Sequence, residues 1–307
     1  MISTRIFVRS GLAAFVWLAS ACSTVPPETR VYETQDLETR ILLDKISKPI
    51  RITESTVIID ARKTFDHSMA HPMGSVNLSW LEFAVGKPPV PGLLKKDLFT
   101  EAVRLARLGL QPNTPVVIVG YGPENSAGDE GRLAWTLLYM GFQDVQIAKV
   151  ESLGLRYSNV VGSGPDRKNA AIWKPVVVPS LLADVKEVMK AGLSKARSNL
   201  HILDVRTSAE YAAKTDDGGR YLVPDFRAVN IPFQEFFTAQ GRPNLRILQQ
   251  LRGIQILPED RVIVISNNGV RSGAVTFALA SMGYKNVANY AGGWTELLRE
   301  NKKRYRR

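Results

Sequence analysis

The chain repeats itself, and that repetition restricts its fold more than any other property of the sequence. Ile58-Ile59-Asp60-Ala61-Arg62 returns as Ile202-Leu203-Asp204-Val205-Arg206, and Val76-Asn77-Leu78 with Glu82-Phe83 returns as Val229-Asn230-Ile231 with Glu235-Phe236. Leu105 to Gly120 (LARLGLQPNTPVVIVG) aligns with Leu251 to Ser266 (LRGIQILPEDRVIVIS), and Met140-Gly141-Phe142 with Met282-Gly283-Tyr284. The offsets are 144 residues at Asp60, 146 at Pro112 and 142 at Gly141, in one order along the chain. Four ordered blocks at near-constant spacing mark a duplicated unit of about 120 residues.

Each copy alternates short β-branched runs with amphipathic stretches. Val57 to Ile59, Val116 to Val119, His201 to Leu203 and Val262 to Ile265 read as buried parallel strands. Leu98 to Leu108, Leu133 to Met140, Leu181 to Met189 and Gly273 to Met282 read as helices. The expected class is α/β, with two tandem domains, each a parallel sheet flanked by helices. The boundaries are placed at 31–160 and 176–300, with a linker at 161–175 in the Gly-, Pro- and charge-rich stretch Gly162 to Lys174. In such sheets ligands bind at the carboxyl ends of strands, so the loop after Ile265 is where a site is expected.

Ile202-Leu203-Asp204-Val205-Arg206, Val229-Asn230-Ile231-Pro232-Phe233, the strand and loop Val262 to Arg271, and Gly292-Gly293-Trp294 resemble the blocks of the rhodanese homology domain. In the first copy Ile58 to Arg62, His71 to Asn77 and Arg132 to Trp135 resemble the same pattern, over roughly Val31 to Leu298 in all. The tandem arrangement is similar to that of two-domain thiosulfate and mercaptopyruvate sulfurtransferases. That resemblance implies a nucleophilic cysteine in a loop of the form Cys-x-x-Gly-x-Arg. This chain has Ser266-Asn267-Asn268-Gly269-Val270-Arg271 in that frame, with Ser266 at the nucleophile position, and Gly120 or Tyr121 at the equivalent place in the first copy.

Sulfur transfer needs a low-pKa thiolate that can be held as a persulfide, and a serine hydroxyl cannot replace it. Neither copy is expected to transfer sulfur. The second loop keeps the elements of an anion cradle: successive N–H groups at a helix N-terminus, neutral donors from Asn267, Asn268 and Ser272 around Gly269 and Val270, and the fork of Arg271. The same loop also reads as a plain strand-to-helix connection with Arg271 paired internally. The first loop carries Glu124, Asp129 and Glu130, which repel an oxyanion, so an anion site is assigned to the second copy alone. His67 and His71 have the spacing of zinc ligands on a helix, but Pro72 follows at once; no metal and no cofactor are expected.

Cys22, the only cysteine, closes Leu18-Ala19-Ser20-Ala21-Cys22, which resembles the lipobox of bacterial lipoproteins although Ala19 stands where Leu is usual. Arg5 and Arg9 precede an apolar stretch too short to span a bilayer, so 1–21 reads as a signal peptide and 22–30 as a spacer. Lipidation at Cys22 implies anchoring in the cell envelope, with Ser23 favouring the outer over the inner membrane; secretion with a free Cys22 and an uncleaved anchor are the alternatives. The formal charge of +11 drops by two when Arg5 and Arg9 leave, and much of the remainder lies in a basic tail at 301–307 (Lys302, Lys303, Arg304, Arg306, Arg307). No binding motif accompanies that charge, so nucleic acid is not an expected partner. The expected role is a catalytically inactive, lipid-anchored tandem rhodanese-like protein that binds an envelope partner or a small oxyanion. The alternatives are sulfur transfer with an external thiol, a Ser266-based hydrolase, and a purely structural lipoprotein.

Overall fold

The structure is a computed structural model that describes residues 37–86, 90–160, 170–193, 199–213 and 226–305. The expected signal peptide, Cys22, the spacer, residues 31–36 of the first domain, 161–169 of the linker, and Arg306 and Arg307 lie outside the described residues.

In chain order the elements are α1 (Leu37–Ser47), β1 (Val57–Asp60), α2 (Thr64–Met69), β2 (His71–Pro72), β3 (Val76–Asn77), α3 (Phe99–Arg107), β4 (Val116–Gly120), α4 (Asp129–Tyr139), β5 (Val145–Lys149) and β6 (Tyr157–Ser158). The second half supplies β7 (Leu182–Ala183), α5 (Val185–Leu193), β8 (Leu200–Asp204), α6 (Ser208–Ala212), β9 (Val229–Asn230), α7 (Ile247–Gly253), β10 (Arg261–Ile265), α8 (Val270–Ser281), β11 (Val287–Tyr290) and α9 (Gly293–Tyr305). Helix α9 carries the backbone of the expected tail as far as Tyr305.

Two parallel sheets result, ordered β3-β1-β4-β5 and β7-β11-β10-β8-β9, with β2 and β6 forming a small antiparallel pair. The α/β class expected from the sequence is the one observed. The central strands β4 (VVIVG) and β10 (RVIVI) are buried on both faces, which is why they read as continuous apolar runs without alternation. The equivalence of the halves extends to register. Asp60 pairs with Asn77 and Asp204 with Asn230. In each copy the Asn side chain donates to two carbonyls, of Asp60 and Arg62 in one and of Asp204 and Arg206 in the other, all at 2.9 Å.

One expected helix begins in the wrong place. Leu181 closes a 3-10 turn begun at Pro179 instead of opening an α-helix, Leu182–Ala183 pair in parallel with Asn289–Tyr290 at the edge of β11, and the α-helix starts at Val185. The apolar periodicity that suggested a helix from Leu181 is satisfied by a strand because the edge of β11 offers backbone partners there. Helices α4 and α8 instead start earlier than their apolar runs, at Asp129 and Val270, each preceded by a left-handed glycine, Gly128 (φ 89°) and Gly269 (φ 79°).

The halves join through these two helices in a reciprocal contact. An added Cβ on Gly131 of α4 would lie 2.5 Å from the Cβ of Ala274 on α8, and one on Gly273 of α8 would lie 2.8 Å from Cδ of Arg132 on α4. Since Gly131 and Ala274 occupy successive equivalent positions, as do Gly273 and Arg132, the interface has the self-complementary form of a two-fold axis written within one chain. The loops after the 3-10 turns Trp80–Phe83 and Phe233–Phe236 also reach across. Gly92 lies against the backbone of Asn268 and Ala291, and Gly241 against that of Ala148 and Lys149, whose N–H donates to the carbonyl of Gln240 at 2.6 Å. Among the described residues, no helix is long and apolar enough to cross a membrane.

Candidate functional site

The loop Ser266–Gly269 leaves the carboxyl end of β10 and turns into α8. It is held from three sides. Ser266 carbonyl accepts from Trp294 N–H at 2.9 Å, and Asn267 carbonyl accepts from Thr295 N–H at 3.1 Å and its hydroxyl at 2.9 Å. Gly269 carbonyl accepts from Asn289 Nδ2 at 3.2 Å and, from the first half, from an Arg132 guanidinium N–H at 2.8 Å. Behind the loop, Trp294 donates through Nε1 to Asp204, and Arg206 lies over the indole at 4.4 Å while also chelating Asp204. The Asp204–Arg206 pair therefore braces the strand end.

Ser266 is completely buried, and its partners are all of one kind. Its Oγ lies 3.0 Å from Ser272 Oγ and accepts from Ser272 N–H at 3.2 Å; Ser272 in turn donates to Asn289 Oδ1 at 2.7 Å. No histidine or carboxylate is hydrogen-bonded to it among the described residues. His67 binds Asp60 through Nδ1 at 3.1 Å, the Nδ1 of His71 faces the carbonyl of His67 at 2.7 Å, and His201 pairs with Asp260 at 3.1 Å. Without a general base, the hydroxyl cannot be activated as a nucleophile by these neighbours.

Arg271 makes a bidentate fork to Glu210 of α6, at 2.7 and 2.8 Å, and Asn267 Nδ2 joins the same carboxylate at 2.7 Å. Arg271 is thus paired within the fold, while the N–H groups of Asn267, Asn268 and Gly269 have no acceptor among the described residues. The turn into α8 thus carries three consecutive N–H groups without an acceptor among the described residues, the kind of group that backbone anion sites use. Val270 adds the buried first residue of α8, and Ser272 is committed to Ser266 and Asn289.

Glu210 was not legible as part of the loop from the sequence. Its one signal was Thr207-x-x-Glu210, a capping box that the structure forms at the start of α6. Hydrogen bonding to Arg271, which outweighs partial burial, holds its carboxyl well below the usual glutamate range. A carboxylate whose pKa falls on folding stabilises fully above its unfolded pKa, near 4.5, and loses that contribution as the pH drops through the region below it. The side chain is a third exposed, so solvent screening limits the effect to about 1 kcal/mol. Glu210→Gln is expected to flatten the acid limb of stability against pH below about pH 5, measured by urea unfolding. An acid limb identical to that of the parent protein would show that the pair contributes nothing.

The first loop solves the same position differently. Gly120 stands where the second copy has Ser266, and an added Cβ there would strike the carboxyl group of Glu130. Glu130 sits where the second copy has Ser272 and is 3% exposed; Ser126 Oγ and the N–H groups of Gly122 and of Glu130 itself surround its carboxylate. Burial pushes its pKa up, and these donors oppose that rise. The first cradle is filled by a side chain of its own. Tyr121 hydrogen-bonds Asp66, the counterpart of Glu210, and burial with that carboxylate pushes the phenol up to about 12.

This arrangement has relatives. Residues 185–300 match the family model described as "Rhodanese-like domain". The chain is 25% identical over 252 residues to a thiosulfate sulfurtransferase of Pseudomonas aeruginosa, covering 78% of this chain and 87% of that protein. Among solved structures it superposes on SseA from Escherichia coli, described with the rhodanese fold of 3-mercaptopyruvate sulfotransferases, with a TM-score of 0.62 at 22% identity over 83% of this chain and 97% of that one. It superposes on YnjE with a TM-score of 0.61 at 20% identity, over 83% of this chain and 64% of that one. The fold is that of these proteins, residues 185–300 match the rhodanese-like domain, and over most of its length the chain is similar to a thiosulfate sulfurtransferase.

Proposed function

We propose that this sulfurtransferase-like protein does not transfer sulfur, and that it is lipid-anchored through Cys22 in the bacterial envelope, where its second loop binds a small oxyanion. The observation that carries the proposal is chemical. Ser266 occupies the nucleophile position, and the only thiol of the chain is Cys22, far upstream of both sheets. An oxyanion would take the free N–H groups of Asn267, Asn268 and Gly269, with the outer edge of the Arg271 fork completing the charge balance. A protein partner docking on the same loop is the second reading; the pairing of Arg271 with Glu210 favours it, since that pair removes much of the local positive charge. The Ser266-based hydrolase has no base to support it. An outer-membrane rather than inner-membrane location follows from Ser23 alone.

The test is a thermal-shift titration of the purified chain with thiosulfate, sulfite, sulfate and phosphate, beside its Arg271→Ala form. A ligand at one hundred times its dissociation constant stabilises the native state by about 2.7 kcal/mol. Saturable stabilisation that weakens in Arg271→Ala supports the oxyanion site, and the absence of any shift removes it and leaves partner binding. Anchoring is read separately: mass analysis of the membrane-extracted protein should find a mature N-terminus at Cys22 carrying acyl chains, and a Cys22 without them would overturn lipidation as the anchor.

A further inference from the structure

The two halves border a half-open pocket at the opposite end of α8 from the Ser266 loop. A cavity of about 130 Å³ lies between Leu42 and Ile46 of α1, Val145 to Ile147 of the edge strand β5, and Phe277 and Ala280 near the end of α8. Its walls come from both copies of the repeat, and most of them are aliphatic or aromatic. Apolar cavities of about 150 Å³ stay dry and accept a benzene-sized guest. Size and lining therefore specify a small apolar body.

The rim specifies its charge. Arg242 and Lys45 both line the cavity. Lys45 is neutralised by Asp144. Arg242 has no carboxylate partner among the described residues: its guanidinium donates to the carbonyls of Lys48 at 2.6 Å and Lys45 at 3.3 Å, at the end of α1. Those bonds use two of its five N–H groups and supply only the partial negative charge of a helix terminus. Burial opposes its charge, and no acid offsets that burial. Gln143, Gln146 and Ser281 add neutral polar groups at the same wall. A planar carboxylate fits a guanidinium fork edge to edge.

We infer that this cavity is a binding site for a small apolar monocarboxylate, an aliphatic or aromatic acid of about six or seven carbons, with its hydrocarbon body between α1, β5 and α8 and its carboxylate on Arg242. Such a ligand would bridge the two halves away from the Ser266 loop, and would bind whether or not that loop takes an anion.

Isothermal titration of the purified chain with benzoate and hexanoate, beside neutral benzyl alcohol and hexanol, tests it. Benzoate or hexanoate should bind saturably and at least about tenfold more tightly than its neutral counterpart, as a charge-assisted hydrogen bond requires. Arg242→Gln should remove that preference. Because this variant also loses a contact to the end of α1, Ala280→Leu is the second arm: it fills the cavity from α8, leaves Arg242 in place, and should abolish binding. Failure of both acids to saturate, equal binding of acid and alcohol, or acid binding that survives Ala280→Leu would each overturn the assignment.

Discussion

Arg132→Ala should lower stability by about 3–5 kcal/mol, while Arg132→Met should cost much less. Arg132 on α4 is fully buried without a carboxylate partner among the described residues. One terminal N–H group binds the carbonyl of Gly269 at 2.8 Å and the other the carbonyl of Gly92 at 2.6 Å, so a single side chain of the first half fixes both the second-half loop and the segment lying over it. Its guanidinium sits 4.4 Å from the ring of Trp135 and 5.5 Å from that of Trp80, which provide the attraction that a counter-ion would otherwise give. Truncation to alanine leaves a cavity between two tryptophans and takes the Arg132 donor from the carbonyl of Gly92 and one of three donors from that of Gly269. Methionine restores most of the volume, and cores often tolerate a buried charge replaced by an apolar side chain. Urea unfolding of the two variants separates the contributions. Equal losses would mean that the hydrogen bonds, and not the packing, hold the halves together; a loss below about 1 kcal/mol in alanine would mean that the contact across the halves is incidental.

What the sequence disclosed, and what it did not, follows from the range of the interactions. The duplication was legible because each copy must end its first strand in the same way. Asp60 and Asp204 accept from Arg62 and Arg206 two residues on, a local constraint that leaves a local pattern. The strands of the sheet interior were legible because β4 and β10 are apolar throughout. Leu181–Ala183 was misread since a strand of two residues has no periodicity of its own and exists only through the edge of β11. The composition of the Ser266 loop was readable, but its electrostatics were not. Between Arg261 and Thr295 no acidic residue occurs, yet Glu210, 61 residues before Arg271, supplies the missing charge. The reach of Arg132 into that loop spans 137 residues and is equally silent in one dimension.

The two copies fill the start of this loop in two ways. At Gly120 there is no side chain and Glu130 occupies the space, so a carboxylate of the chain itself meets the loop's donors. At Ser266 a serine pair with Ser272 closes the same space without charge. Only the second arrangement leaves consecutive backbone N–H groups without acceptors. That asymmetry is why the anion site is proposed for the second half.

Ser266→Cys should therefore form a persulfide, while the parent protein is expected to stay at background in a thiosulfate sulfurtransferase assay. A thiol at this position would receive the Ser272 N–H now directed at Ser266 Oγ and would sit at the N-terminus of α8, two features that favour a thiolate over a thiol. The isosteric exchange disturbs little else, since Ser272 can keep its bond to Asn289. The introduced thiolate would attack the sulfane sulfur of thiosulfate and release sulfite, and the expected product is a protein heavier by one sulfur atom, seen by mass spectrometry and removed by dithiothreitol. In the same variant, Glu210→Gln should slow its formation by releasing Arg271 and Asn267 from the carboxylate that holds the loop. Persulfide in Ser266→Cys would mean that the loop still presents the transfer geometry and that a single atom separates this chain from its active relatives. A thiol that alkylates readily yet gains no sulfur would mean that the cradle no longer receives thiosulfate, and the oxyanion role proposed for the second loop would fall with it.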